Sequence, residues 1–198
     1  MPSRRARTDK GQGLVEFALV VPVLMFLFLG VYTAADLSGA KETVGHASRE
    51  GVRIAAEIGN NGYRTGSSAM AGCQTASTDP CIVDNEILKA MLPILSQQLA
   101  HAAVAEIDVY QPAPCTGGPC PPDNGAWQSG DLIDQYNPDG TRMTGSPQSY
   151  TLDKRTQIHP NEASIGVRIK FHYTSPTLRI FTMDVSEYAV VRLAPLFT

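Results

Sequence analysis

The sequence predicts an α+β fold: a long N-terminal transmembrane helix that continues into an extracytoplasmic domain with a second helix and a small antiparallel sheet. Three observations carry this reading. The nineteen residues from Phe17 to Ala35 include no charged side chain. Apolar residues then recur at three- and four-residue spacing as far as Ile58, the period of a helix. Toward the C-terminus, apolar and polar residues alternate, the period of a half-buried strand.

At about 1.5 Å per residue the uncharged run makes roughly 28 Å of helix, which matches the hydrocarbon thickness of a bilayer, about 30 Å. It is apolar on every side (Leu19, Val20, Val21, Val23, Leu24, Met25 and onward), whereas a core helix of a small domain keeps a polar face. Arg4, Arg5, Arg7 and Lys10 precede it against the single acid Asp9, so residues 1–11 carry +3 and the remainder of the chain −6. Basic flanks favour the cytoplasm, and this one sets the N-terminus inside and the rest outside. Lys41, Arg49 and Arg53 on the far flank are offset by Glu42, Glu50 and Glu57.

Beyond Asp36, Val44, Ala47, Gly51, Ile54 and Ile58 keep one helical face, and Gly59-Asn60-Asn61-Gly62 supplies the stop. Asp84 reads as the N-cap of a second helix reaching about Leu99, bent at Pro93. Ala105, Ile107 and Val109 alternate with Glu106, Asp108 and Tyr110 in a strand that stops at Gln111-Pro112. Residues 111–163 are rich in turn formers, with Trp127 and Ile133 to Tyr136 as anchors of a long loop. Ile165, Val167, Ile169, Phe171 and Tyr173 give the clearest strand, and 185–193 give another. Three strands joined by loops rather than crossover helices favour an antiparallel sheet packed on the helices.

Cys73, Cys81, Cys115 and Cys120 fall into two close pairs within Gly/Pro/Ser/Thr-rich segments. Four cysteines allow three pairings, and local closure favours 73 with 81 and 115 with 120. The alternative is a four-thiolate zinc site, but seven and four intervening residues miss the usual two-residue knuckle. Disulfides imply an oxidising space, in agreement with the orientation drawn from the basic tail.

Other function classes find little support. A net charge of −3, with basic residues scattered among acids, does not describe a nucleic-acid surface. His46, His101, His159 and His172 are isolated, and the chain contains no HExxH pair, GxSxG elbow or P-loop. Gly11-Gln12-Gly13 lacks both a preceding strand and a third glycine, so it is no dinucleotide fingerprint. Asp131, Asp134 and Asp139 miss the spacing of an EF-hand loop and read as solvated turn acids. No cofactor, metal or catalytic residue is expected.

The informative stretch is Gly11 to Phe17. A glutamate at the mouth of a membrane helix is costly unless it snorkels or finds a partner, so Glu16 stands out. Gly-Gln-Gly-Leu-Val-Glu-Phe-Ala-Leu-Val-Val-Pro, from Gly11 to Pro22, resembles the N-terminus of the TadE-like family, the minor pilins or pseudopilins of tight-adherence, type IV-like pilus systems. The resemblance is tight over residues 11–37. It is looser at Arg192-Leu193-Ala194-Pro195, which resembles a closing Arg-Leu-Glu-Pro pattern with Ala194 in place of the acid. It implies cleavage by a prepilin peptidase between Gly11 and Gln12, which makes Glu16 residue five and Phe17 residue six of the mature chain. It also implies that Glu16 attracts the amino terminus of a neighbouring pilin subunit during assembly. Family members often have serine where this chain has Gly13. Pro22 lacks an N–H and is expected to loosen or kink the helix one turn inside the membrane, and Gly30 with Ala34 offers a small-residue surface for close helix packing, although membrane helices tolerate both.

The expected organisation is a basic leader over 1–11, a transmembrane helix over 12–37 and an extracytoplasmic pilin-like domain over 38–198. The competing reading is a bitopic or secreted binding domain with an ordinary signal, cut after Thr33-Ala34-Ala35 or Ser38-Gly39-Ala40.

Overall fold

The computed structural model describes residues 10–58, 81–112, 132–145, 149–155, 163–177 and 181–193. Its first element, α1 (Lys10–Ile58), is a single helix of 49 residues that passes through Pro22 without a break. At 1.5 Å per residue it extends about 73 Å. The helix begins seven residues earlier than the uncharged run, so the Gly11–Gln12 bond lies in its first turn.

The two halves of α1 differ as the composition requires. Up to Tyr32 most of the apolar side chains are exposed, Phe17 by 69% and Phe28 by 74%, the mark of a surface that a membrane or a partner covers. From Val44 onward, Val44, Ala47, Val52 and Ala55 are buried against the rest of the protein. Here α1 packs on α2 (Cys81–Gln98) through Ile87, Leu88, Met91 and Leu95. The two helices approach closely at Gly51, where an added Cβ would stand 2.2 Å from Met91 Sδ.

The sheet is antiparallel, in the order β2-β1-β3-β4, from β1 (Ala102–Tyr110), β2 (Ile133–Tyr136), β3 (Ser164–Thr174) and β4 (Thr182–Arg192). It holds one strand more than the sequence predicts, because Ile133 to Tyr136, read as a loop anchor, pairs with β1. Ile165, Val167, Ile169, Phe171 and Tyr173 of β3 face the helices and are fully buried or nearly so, as their alternation requires.

The first strand departs from its predicted alternation. A register shift falls between Val104 and Glu106, so Val104 turns to the core while Ala105 is exposed. A bulge adds a residue to one strand and reverses the side-chain parity before it. On the opposite face of the sheet Tyr110 lies over Gly166, where an added Cβ would come within 2.5 Å of the ring.

Asp84 is not an N-cap. The helix α2 starts three residues earlier, at Cys81, and the Asp84 carboxylate is turned into the protein, where it is completely buried. Of the cysteines, Cys73, Cys115 and Cys120 lie outside the described residues, and Cys81 is described only as the helical residue that opens α2.

Candidate functional site

Three constellations stand out, and the first is the start of α1. Gly11 and Gln12 occupy its first turn. The first four N–H groups of a helix have no intrahelical partner, so this turn is the least costly part of α1 to unwind. Glu16 and Phe17 follow on exposed helix. Gly30 has no atom outside its own helix within 4 Å of an added Cβ, so the small-residue surface that it opens is available to another helix.

The second constellation fastens the outer end of the apolar run to the sheet. Thr33 Oγ1 lies 2.9 Å from Thr177 Oγ1 and 3.3 Å from Ser175 Oγ, and it donates to the Leu29 carbonyl at 2.9 Å. Tyr173 donates its hydroxyl to Asp36 Oδ2 at 2.8 Å, and His101 Nδ1 approaches Asp36 Oδ1 at 3.2 Å. Higher on the same side, Lys41 and Glu187 form an exposed pair at 3.6 Å. His101 is thus a partner of α1. His172 is exposed and pairs with Asp184 at 2.7 Å.

The third constellation is buried. Arg155 Nη1 donates to Asp84 Oδ1 at 2.5 Å, and Nη2 donates to Asp84 Oδ2 and Asp134 Oδ2, both at 3.0 Å. The Tyr136 hydroxyl donates to Asp84 Oδ2 at 2.6 Å, the Tyr150 N–H donates to Asp134 Oδ1 at 3.1 Å, and the guanidinium lies 4.6 Å from the Tyr150 ring centre. Asp134 is therefore not a solvated turn acid. Burial, and then the charge of Asp84, push its carboxyl up to about 7. Asp84, Asp134 and Arg155 are all fully buried, which closes the cluster to substrate and makes it a staple between α2, β2 and the segment at Arg155.

A shallower network crosses the sheet. Arg168 donates to Asp108 at 2.7 Å and Lys170 to Glu106 at 2.8 Å, with Gln135 bonded to both carboxylates. Burial and the neighbouring Glu106 raise Asp108 to about 6. Asp139 closes its turn by accepting from the Thr141 N–H and hydroxyl, ahead of Gly140 at φ 85°. Among the described residues no group of three or more His, Cys, Asp or Glu is placed to hold a metal ion.

An α+β domain borne on one helix that is apolar and exposed through its first half defines a candidate single-pass membrane protein. Residues 11–53 match the family model described as TadE-like protein, the family that the stretch from Gly11 to Pro22 resembles, and this links the chain to tight-adherence pilus systems. The match ends inside α1, so α2 and the sheet lie beyond it. Comparisons with curated proteins and with solved structures found no match.

Proposed function

We propose that this protein is a non-enzymatic minor pilin or pseudopilin that takes part in assembling a tight-adherence, type IV-like pilus. A prepilin peptidase cuts between Gly11 and Gln12 on the cytoplasmic side of the inner membrane. The mature chain stays in that membrane through 12–37, with 38–198 outside and the local pairs Cys73–Cys81 and Cys115–Cys120 oxidised. Glu16 and Phe17 form the assembly end, where the Glu16 carboxylate attracts the amino terminus of a neighbouring subunit and the apolar helix packs laterally.

The observation that carries this reading is the family match that begins at Gly11, on a helix whose apolar side chains are largely exposed from Leu14 to Tyr32. An ordinary signal cut near Ala35 or Ala40 fits less well. The helix runs unbroken through both, and Thr33 and Asp36 are bonded to the sheet on either side of Ala35. Separate Gly11→Ala and Glu16→Ala substitutions test the proposal. The first is expected to block processing; the second is expected to leave processing intact and abolish incorporation into the fibre or its assembly. Normal processing and piliation in both variants would refute it.

A further inference from the structure

The described residues that follow β3 and precede β4, Ser175 to Thr177 and Phe181, stand level with the end of the uncharged run. Thr33 lies within the uncharged run, about 4–5 Å along the helix below Asp36, yet it bonds Thr177 and Ser175 directly. The Tyr173 hydroxyl spans the same level, reaching both the Thr33 carbonyl at 3.3 Å and Asp36 at 2.8 Å. Phe181 is held at this height too, because its carbonyl accepts from the Ser175 N–H at 3.0 Å. With the hydrocarbon ending where the uncharged run ends, at Ala35, these residues are at its boundary.

Their chemistry suits that depth. Phe181 is 47% exposed and Met183 36%, and Tyr32, on the helix, is 53% exposed. Of these, Tyr32 carries a polar handle, and such aromatic side chains concentrate where headgroups meet acyl chains. The hydroxyls of Thr33, Ser175 and Thr177 satisfy one another, with Ser175 to Thr177 at 3.1 Å. The Thr174 N–H is likewise paired, to the His101 carbonyl at 2.9 Å. Polar groups taken to a depth with little water need internal partners of this kind.

We infer that the surface at Phe181, with Pro176 and Thr177 beside it, is a second membrane contact, seated in the lipid headgroup region next to the emerging helix. A lipid surface is the occupant because the apolar surface at Phe181 is level with the exposed run of α1. Intramolecular bonds, not a partner, fix its height. The inference rests on the reading that the first half of α1 spans a bilayer. Two contacts, one spanning and one interfacial, would fix the tilt of the outer domain and so aim it before extraction into a fibre.

Depth-dependent quenching tests this on the full chain in phosphatidylcholine vesicles whose lipids are brominated either near the headgroup or near the chain ends. The sole tryptophan, Trp127, is replaced by Phe, and single tryptophans are introduced as Phe181→Trp, Met183→Trp, Phe26→Trp and Tyr188→Trp. Helix content by circular dichroism verifies the fold of each, and Met183→Trp carries the test if Phe181→Trp does not fold. Phe181→Trp is expected to lose most of its emission to shallow bromines and little to deep ones, Met183→Trp to show the same order more weakly, and Tyr188→Trp to lose none. Emission from Phe181→Trp and Met183→Trp as insensitive as that from Tyr188→Trp overturns the inference, provided that Phe26→Trp is quenched by deep bromines. Blue-shifted but unquenched emission at 181 also overturns it, because the site is then covered by protein. If Phe26→Trp escapes quenching, the membrane-spanning reading itself fails.

Discussion

Arg155 closes on Asp84 with both terminal guanidinium nitrogens, at 2.5 and 3.0 Å, across 71 residues of chain. Both side chains are fully buried. A buried pair contributes little net stability compared with an apolar filling, yet breaking it leaves an uncompensated charge in a poorly polarisable interior. Arg155→Met is therefore expected to destabilise the protein by about 3–5 kcal/mol, read as a lower urea midpoint for loss of near-ultraviolet circular dichroism in detergent. An unchanged midpoint would show that the staple bears no weight.

One guanidinium faces two carboxylates in this cluster, so one negative charge lacks a full counterpart. Burial and Asp84 raise Asp134 to about 7, and burial and Glu106 raise Asp108 to about 6. Both lie above the unfolded value near 3.9. The folded state then binds more protons than the unfolded state between roughly pH 4 and 7, and stability falls as pH rises through that window. Denaturation midpoints across this range should decline with pH. Asp134→Asn, which cannot ionise, should flatten the decline.

Two glycines are close approaches of different hardness. An added Cβ at Gly166 meets the rigid Tyr110 ring at 2.5–2.9 Å, whereas at Gly51 it meets the flexible end of Met91. Gly166→Ala should cost about 1–3 kcal/mol as overpacking. Gly51→Ala should cost less, because Met91 can swing away and alanine favours the helix by about 1 kcal/mol. Thermal unfolding of the two variants ranks them, and a larger loss at Gly51 would contradict the account.

Much of the architecture was legible because it rests on long, strongly periodic segments. The uncharged run, the helical face from Val44 to Ile58 and the alternation of Ile165 to Tyr173 each repeat one physical requirement many times. The misreadings are short or non-local. The strand β2 has four residues, and its Asp134 reads as polar until Arg155 is brought against it by a fold no local pattern encodes. Asp84 in a turn-like position suggests a cap by residue type alone, since its true partner is 71 residues away. The bulge at Ala105 is invisible in a pattern that alternates correctly on either reading. For the candidate site, Gly11, Gln12, Glu16 and Phe17 are proposed from their order along the chain, while the attachment of α1 to the outer domain through Thr33, Asp36 and Tyr173 emerges only in three dimensions.

That attachment is open to a direct check. Tyr173→Phe deletes one hydrogen bond to a carboxylate, which should cost about 1.5–3 kcal/mol at most and less where water reaches the site. Amide hydrogen exchange at residues 33–40 should accelerate in the variant, while exchange near Val44 to Ala55, in the packed core, should hold. Equal acceleration of both segments would mean that the helix and sheet separate as one unit rather than loosening at the membrane end.

The central claim concerns the first turn of α1, and intact-mass analysis of the chain purified from its native membrane addresses it most directly. A mature protein beginning at Gln12, with the basic leader removed and the apolar helix retained, is the predicted result. A chain that keeps Met1 to Gly11, or one that begins at Asp36 or Lys41 with the apolar helix gone, would contradict it.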